Sequence, residues 1–259
     1  MITSKDNEII KHITKLVSSA KYRRESGCFA AEGVRLCADG AASGAVVEAF
    51  LYTAKAAEKY SADFEAVYRS AEKTYELSEA LFKKISDTTA PQGFMCIFKT
   101  LDKQQISYKI DKKGNYTALE KIQDPSNMGT ILRTAEALGT DGILLSRDCC
   151  DIYSPKVVRG SMGAIFRVPV MIVDNFTEYI AKLTESGFFT YASTPHEAEN
   201  IGNIDFSGGS VILIGNEGNG LREETIRACR KRVKIPMNGR AESLNAAAAA
   251  AILLYCQNC

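Results

Sequence analysis

Histidine is nearly missing from this chain: only His12 and His196 occur in 259 residues. Chemistry that leans on several imidazoles is therefore excluded, and His196, inside Pro195-His-Glu, reads as a surface loop residue. Long apolar runs are missing too. No stretch reaches the roughly 18 apolar residues of a membrane span, and the first residues lead straight into charge without the apolar segment of a secretory leader. No membrane role is expected. There is no charge of one dominant sign, since 32 basic residues face 31 acidic ones. The chain is not a polycation, so any nucleic-acid contact must come from local clusters. The glycine-rich run at 215–220 is neither the dinucleotide-binding fingerprint nor a Walker A sequence, so it does not imply NAD or ATP. The eight cysteines, without a leader, read as thiols of a reducing, cytoplasmic compartment rather than as a disulfide framework. Cys256-Gln-Asn-Cys259 is a C-x-x-C pair, but zinc needs two more ligands at ordered spacing and no second pair exists. The adjacent Cys149 and Cys150 cannot easily chelate together. No metal is expected.

What is present is an apolar fraction of 46%, enough for a proper core in one large or two small domains. The first 24 residues carry Lys5, Lys11, Lys15, Lys21, Arg23 and Arg24 against Asp6 and Glu8. Ile9, Ile10, Ile13 and Leu16 give them a helical apolar stripe. The Lys21-Tyr-Arg-Arg24 cluster is either a solvated basic face or a phosphate-contacting patch in which Tyr22 stacks on a base. Strands near 28–31, 46–52, 75–77 and 93–98, with helices near 33–42 and 79–85, make a small α/β unit. Residues 101–116 are rich in Lys, Asp, Gln and Gly and read as a linker. The domains are thus expected at 1–100 and 117–259. The second half alternates strands near 117–120, 142–146, 166–171, 188–193, 210–214 and 233–236 with helices near 128–138, 155–162, 175–186, 221–229 and 243–255. That alternation argues a parallel sheet with helices on its faces.

Three crossings from strand to helix, and one intervening helix, concentrate polar residues. In Asp124-Pro-Ser-Asn127 a strand turns into a helix capped by Asn127 or Ser126. Arg133 follows among small and apolar neighbours, where a guanidinium takes either a salt-bridge partner or an anionic ligand. Ser154-Pro-Lys-Val-Val-Arg159 starts a helix with Pro at its first position. Lys156 and Arg159, with Arg167 beyond, are either a solvated face or a positive edge of a cleft. Val211-Ile-Leu-Ile-Gly-Asn-Glu-Gly-Asn-Gly-Leu221 runs a buried strand into a glycine-rich turn whose backbone can approach a ligand. Val233-Lys-Ile-Pro-Met-Asn-Gly-Arg-Ala-Glu-Ser-Leu-Asn245 does the same before a helix capped by Ser243 or Asn245. That helix is apolar nearly all round and is expected to be buried. Crevices at the carboxyl ends of parallel strands are where α/β sheets bind ligands.

As a set, Asp-Pro-x-Asn-x-Gly-x-x-x-Arg, Ile-Gly-x-Glu-x-x-Gly-Leu and Ile-Pro-Met-x-Gly-x-x-Glu-Ser-Leu-Asn resemble the motifs of the SpoU (TrmH-like) RNA ribose 2′-O-methyltransferases of the SPOUT superfamily, over about residues 118–255. Lys21-Tyr-Arg-Arg24, Phe29-Ala-Ala-Glu-Gly-Val-Arg35 and Pro91-Gln-Gly93 resemble, more loosely, the substrate-binding domain that ribosomal-RNA members carry. Ala246 departs from the apolar branched residue that often follows Ser-Leu-Asn, a change of volume and not of chemistry.

The resemblance implies an α/β C-terminal domain with a deep trefoil knot, a homodimer formed through it, and an active site near the dimer interface. It implies methyl transfer from S-adenosylmethionine to a ribose hydroxyl, on ribosomal RNA or, as an alternative, on transfer RNA. A non-catalytic RNA-binding or ribosome-assembly factor and a base-methylating enzyme are the other readings. By resemblance, Arg133, Asn127, Glu217, Ser243 and Asn245 line the catalytic pocket. The cofactor would lie among Ile214, Gly215, Glu217, Gly218, Gly220, Ile235, Met237, Ser243, Leu244 and Asn245. RNA contacts fall to Lys21, Arg23, Arg24, Arg35, Lys156 and Arg159.

Overall fold

The computed structural model describes residues 1–101 and 110–259. They form two compact units, one of Met1–Leu101 with Asp151–Arg167, the other of residues 110–150 with Val168–Cys259. Residues 102–109 of the expected linker lie outside the described residues, and its last two, Asn115 and Tyr116, belong to a strand of the second unit.

The first unit opens with α1 (Glu8–Ser18), whose N-cap Asn7 accepts from the Ile9 N–H, and α2 (Ala20–Ser26), capped by Ser19 and stopped by Gly27 in the left-handed region. Then come β1 (Cys28–Glu32), α3 (Val34–Ala42), β2 (Val47–Tyr52), α4 (Ala54–Lys59), α5 (Ser61–Ser70), β3 (Thr74–Glu76), α6 (Glu79–Ile85) and β4 (Phe94–Lys99). The sheet order is β1-β4-β2-β3, with β4 antiparallel to both of its neighbours. Ile10, Ile13 and Leu16, the stripe of α1, pack with Ala30, Leu51, Phe82 and Ile97. Gly93 sits at φ +82, where an added Cβ would meet the Ala56 methyl at 2.6 Å. Glycine is therefore required at the end of the Pro91-Gln-Gly93 turn.

In the second unit the chain runs through β5 (Asn115–Leu119), α7 (Pro125–Ala137) and β6 (Gly142–Ser146). The next helix, α8 (Pro155–Gly160), belongs to the first unit, although its residues fall within the range the sequence assigns to the C-terminal domain. Tyr153 and Phe166 explain this, because both rings pack on Phe29 of β1. The second unit resumes with β7 (Val170–Val173), α9 (Phe176–Glu185), β8 (Thr190–Ser193), β9 (Glu199–Asn200), β10 (Ser210–Ile214), α10 (Glu223–Ala228), β11 (Lys231–Lys234) and α11 (Ala246–Asn258). Its sheet, ordered β7-β6-β5-β10-β8-β11-β9, is parallel at every pairing. No helix among the described residues is long and apolar enough to cross a membrane.

Two details position the site. Because β5 and β10 are parallel neighbours, the residues that leave their carboxyl ends, 120–124 and 215–220, emerge side by side. Helix α11 packs on α7 and buries Ala246, Ala247 and Ala250, and Asn245 at its cap bonds Asn127 of α7. Alanine keeps the two backbones close and brings both N-termini to the same edge. The opposite side of α11 is not buried as its composition suggests: Ala248, Ile252 and Tyr255, at helical spacing, are exposed.

Candidate functional site

At that edge lies a cavity of about 540 Å³ lined by Gln123, Asp124, Asn127, Asn216, Glu217, Ser243, Leu244, Asn245 and Ala246. The three polar crossings singled out in the sequence, β5–α7, β10–α10 and β11–α11, all contribute. The first does so with a different cap from the one its sequence suggests. Asp124 accepts from the Ser126 N–H at 2.6 Å and Pro125 opens the helix, so Asn127 lies inside α7 with its side chain free for other work. Asp124 outcompetes Asn127 because Pro125 lacks the N–H that would be orphaned at the first helical position.

Glu217 is the hub. Its carboxylate accepts from the Gln123 N–H (3.1 Å), the Asp124 N–H (3.0 Å), Asn127 Nδ2 (3.1 Å) and Asn216 Nδ2 (3.3 Å). Partial burial pushes its pKa up, but the hydrogen bonds, that of the Asp124 N–H foremost, outweigh it and hold the group below the ordinary glutamate value. Asn127, 9% exposed, passes the polarity on, its Oδ1 accepting from Asn245 Nδ2 at 2.9 Å. Asn245 Oδ1 in turn caps α11 by accepting from the N–H groups of Ala247 and Ala248. A carboxylate, two amides and a helix N-terminus thus form one chain, and each amide is orientated by a partner at both ends.

The glycine-rich turn is built for itself rather than for a ligand. A Cβ on Gly215 would lie 2.1 Å from the backbone carbon of Gly220, and Gly220 has φ +68. Asn216 fixes the turn, its Oδ1 accepting from the N–H groups of Gly218 and Asn219. Ile214 is a buried strand residue, and Ile214, Gly215, Gly218, Gly220, Ile235 and Met237 do not line the cavity.

Of the residues expected to be catalytic, Asn127, Glu217, Ser243 and Asn245 come together and Arg133 does not. Arg133 is exposed on α7, without an ion pair or hydrogen bond among the described residues. It lies six positions beyond Asn127, about 240° around the helix, and so leaves from another face. Asn238, Arg240 and Glu242, between β11 and α11, are exposed.

Three features escaped the sequence reading. Glu120, 0% exposed at the end of β5, accepts from Thr225 Oγ1 (2.6 Å) and the Arg222 N–H (2.8 Å), tying β5 to α10. An acid closing the run Tyr-Thr-Ala-Leu-Glu was its only signal. Gln123 and Asn216 carry the backbone and amide donors of the hub, and nothing in their type marks them. Lys121 has φ +57, a conformation that costs a non-glycine residue on the order of 1 kcal/mol.

In the first unit the basic candidates separate. Arg23 is 5% exposed and bonds Asp151 at 2.8 Å and the carbonyls of Leu16 and Val17. It is a buried brace, because α2 turns it inward, and not a surface cation. Tyr22 gives its hydroxyl to a 2.9 Å hydrogen bond with His12 Nδ1. Arg159 is held by Asp87 at 2.7 Å. Lys21 and Arg35 are exposed with loose partners at 3.8 Å, and Arg24 and Lys156 are exposed without any among the described residues. No group of three or more metal-ligating side chains occurs among the described residues.

The model of the SpoU rRNA methylase family matches residues 114–255, and that of the MRM3-like substrate-binding domain matches residues 7–96. The chain belongs to the SpoU family. It is 31% identical over 98% of its length to a tRNA/rRNA methyltransferase of Synechocystis, of which 92% is covered. It is 29% identical to the 23S rRNA (guanosine(2553)-2′-O)-methyltransferase of Bacillus subtilis, over 98% of this chain and 97% of that one. An AdoMet-bound rRNA methyltransferase of Sinorhizobium meliloti superposes with a TM-score of 0.88 at 30% identity, over 99% of this chain and 96% of that one. The family match spans all the cavity-lining residues, and its fold is the α/β parallel-sheet architecture of the SPOUT methyltransferases.

Proposed function

We propose that this chain transfers a methyl group from S-adenosylmethionine to a ribose 2′-hydroxyl of ribosomal RNA, in the cytoplasm, as a homodimer through its knotted C-terminal domain. The carrying observation is the cavity in which the three family motifs meet around Glu217. A SpoU-family chain is an RNA methyltransferase that uses S-adenosylmethionine. The ribosomal substrate is supported by the substrate-binding domain and by the relatives' activity.

The residues present fit the cofactor. A cavity of about 540 Å³ falls in the size range of small-molecule sites. The backbone N–H groups of residues 237–244 make no hydrogen bond among the described residues, which leaves them for a heterocycle edge. When bound, S-adenosylmethionine supplies an electrophilic methyl. The residues of the chain then divide into braces and actors. Glu217 is ionised at neutral pH and already accepts four N–H bonds, so it holds the two crossings together and does not abstract a proton. Asn127 and Asn245 are committed to one another. Ser243, with no partner among the described residues, is left to orient the ribose. Arg133 keeps its proton; it positions an RNA phosphate and stabilises the developing alkoxide.

The dimer explains how Arg133 reaches the reaction. Arg133 and the exposed Ile252 and Tyr255 of α11 lie outside the chain's own cavity, and in the proposed dimer Arg133 acts at the partner's cavity, whose lining carries no guanidinium of its own. The test is Arg133→Ala. It should abolish methyl transfer while calorimetry still finds cofactor binding; wild-type-like turnover refutes the role. Mapping of 2′-O-methyl sites in ribosomal RNA from cells with and without the protein tests the substrate.

A further inference from the structure

We infer that Lys121 is an RNA-contacting residue, a cation held at the rim of the cavity to take a phosphate flanking the target ribose. The inference rests on the methyltransferase reading above. Three observations carry it.

The first is backbone strain. Among the described residues only Lys121, Met162 and Glu197 are non-glycine residues at positive φ, and of these only Lys121, at φ +57, stands within two residues of one that lines the cavity, Gln123. A long side chain is an unfavourable choice there, since glycine takes the same conformation freely and asparagine nearly so. Strained backbone that survives at a site is a pointer to function.

The second is that the conformation is over-determined. The Lys121 N–H donates to Ser146 Oγ at 2.8 Å, and its carbonyl accepts from Asn216 Nδ2 at 2.9 Å. The next residue, Ile122, is fully buried, and its carbonyl accepts from the Cys150 N–H. Asn216 also bonds Glu217, so the clamp on Lys121 is continuous with the hub of the site. The backbone is clamped on both sides, so the side chain starts from a fixed point two residues from Gln123 of the cavity wall.

The third is what the side chain does inside the molecule, which is nothing. Lys121 is exposed, and its ammonium makes no ion pair or hydrogen bond among the described residues. Its neighbours differ: Arg222 pairs with Asp148 and Arg147 with Asp174. An unpaired cation on a strained, clamped backbone, two residues from Gln123 in the cavity wall, gains its return from an anion outside the chain. In an RNA enzyme that anion is a backbone phosphate, met by lysine as a point charge.

The test compares the full-length wild type with Lys121→Gly and Lys121→Arg. The probe is transcribed, unmethylated 23S ribosomal RNA with labelled S-adenosylmethionine. Lys121→Gly should raise KM for RNA roughly three- to tenfold, leave KM for the cofactor alone, and lower the slope of log binding constant against log salt by about 0.7–0.9, the value of one phosphate contact. It should melt no lower than wild type, because glycine relieves the strain. Lys121→Arg, equally strained but charged, should keep wild-type RNA affinity. Wild-type RNA affinity and salt slope in Lys121→Gly overturn the inference. So does a change in cofactor KM alone, which would assign the ammonium to the cofactor's carboxylate. A Lys121→Gly chain that melts well below wild type overturns the strain argument. If the wild type binds this RNA but methylates nothing, the proposed function fails, and the binding comparison still decides Lys121.

Discussion

Asn127→Asp is the substitution to which the site should be most sensitive. It replaces one amide nitrogen by oxygen and leaves size and shape intact. In the wild type Asn127 Nδ2 lies 3.1 Å from Glu217 Oε1 as a donor; the variant puts a second carboxylate there. Two unit charges at that distance repel by about 5 kcal/mol at an effective dielectric of 20 and by about 1 kcal/mol in bulk water. Glu217 is exposed as a residue, so we take about 2 kcal/mol, to which a lost hydrogen bond to a charged acceptor adds about 1.5 kcal/mol. A chain of this size then melts roughly 7–14 °C lower at pH 7.5. The pH dependence is the sharper readout. In the wild type the Glu217 pKa is lowered by folding, so its contribution is present above the unfolded value of about 4.3 and is lost as pH falls through the folded value. In the variant, repulsion raises one carboxyl of the pair above its unfolded value, so the penalty is full at neutral pH and lifts as pH falls through the raised value. The gap between variant and wild type should therefore narrow between pH 7.5 and pH 5. For Asn127→Ala, which loses the bond without adding charge, the gap should stay constant. Thermal melts of the three proteins at both pH values measure this. An Asn127→Asp gap that does not change with pH would show that Glu217 and residue 127 are not in contact, and the hub with it would be wrong.

Gly215→Ala should destabilise by at least 1–3 kcal/mol and abolish cofactor binding by calorimetry, because the new methyl must displace the Gly220 backbone, 2.1 Å away; normal binding would sink the account of the turn. Arg23→Ala should cost about 2–4 kcal/mol in urea unfolding, since it strands Asp151 and two carbonyls, whereas Arg24→Ala should leave stability alone and lower the salt dependence of RNA binding. The reverse pattern would show that α2 presents its other face.

Periodicity carried most of the fold. The stripe Ile9, Ile10, Ile13, Leu16 is α1, and the runs 142–146 and 210–214 are β6 and β10 to the residue. What it could not give are the elements without a strong period. Helices α4 and α5 are short and their faces are mixed, and β9 has two residues, so neither left a pattern. At the site, Asn127, Glu217, Ser243 and Asn245 were legible because three motifs named them. Their roles were not, since the same amide is a cap, a ligand or a link according to which neighbour folding supplies. Arg23 and Arg24 differ only in helical phase, and phase is set by what α2 packs on, which sequence charge does not report. The positive φ of Lys121 had no signal at all, as lysine is the residue least suggestive of a left-handed turn.

The distribution of hydrogen bonds divides the site into two halves of different stiffness. The turn at 215–220 and the start of α7 share seven hydrogen bonds' worth of partners through Glu217 and Asn216, so that half is set before any ligand arrives. Residues 237–244 are mostly exposed and their amides are unbonded, the signature of a segment of low local stability. Asn245 is the joint between them, fixed to Asn127 on one side and to α11 on the other. A ligand entering the cavity therefore meets a rigid wall and a compliant one, and the amides of the compliant wall gain partners as it binds. Ordering that loop subtracts from the affinity of any ligand that binds there, so under the proposed function the loss of methyl-donor affinity on loosening 237–244 should exceed that on trimming the rigid wall.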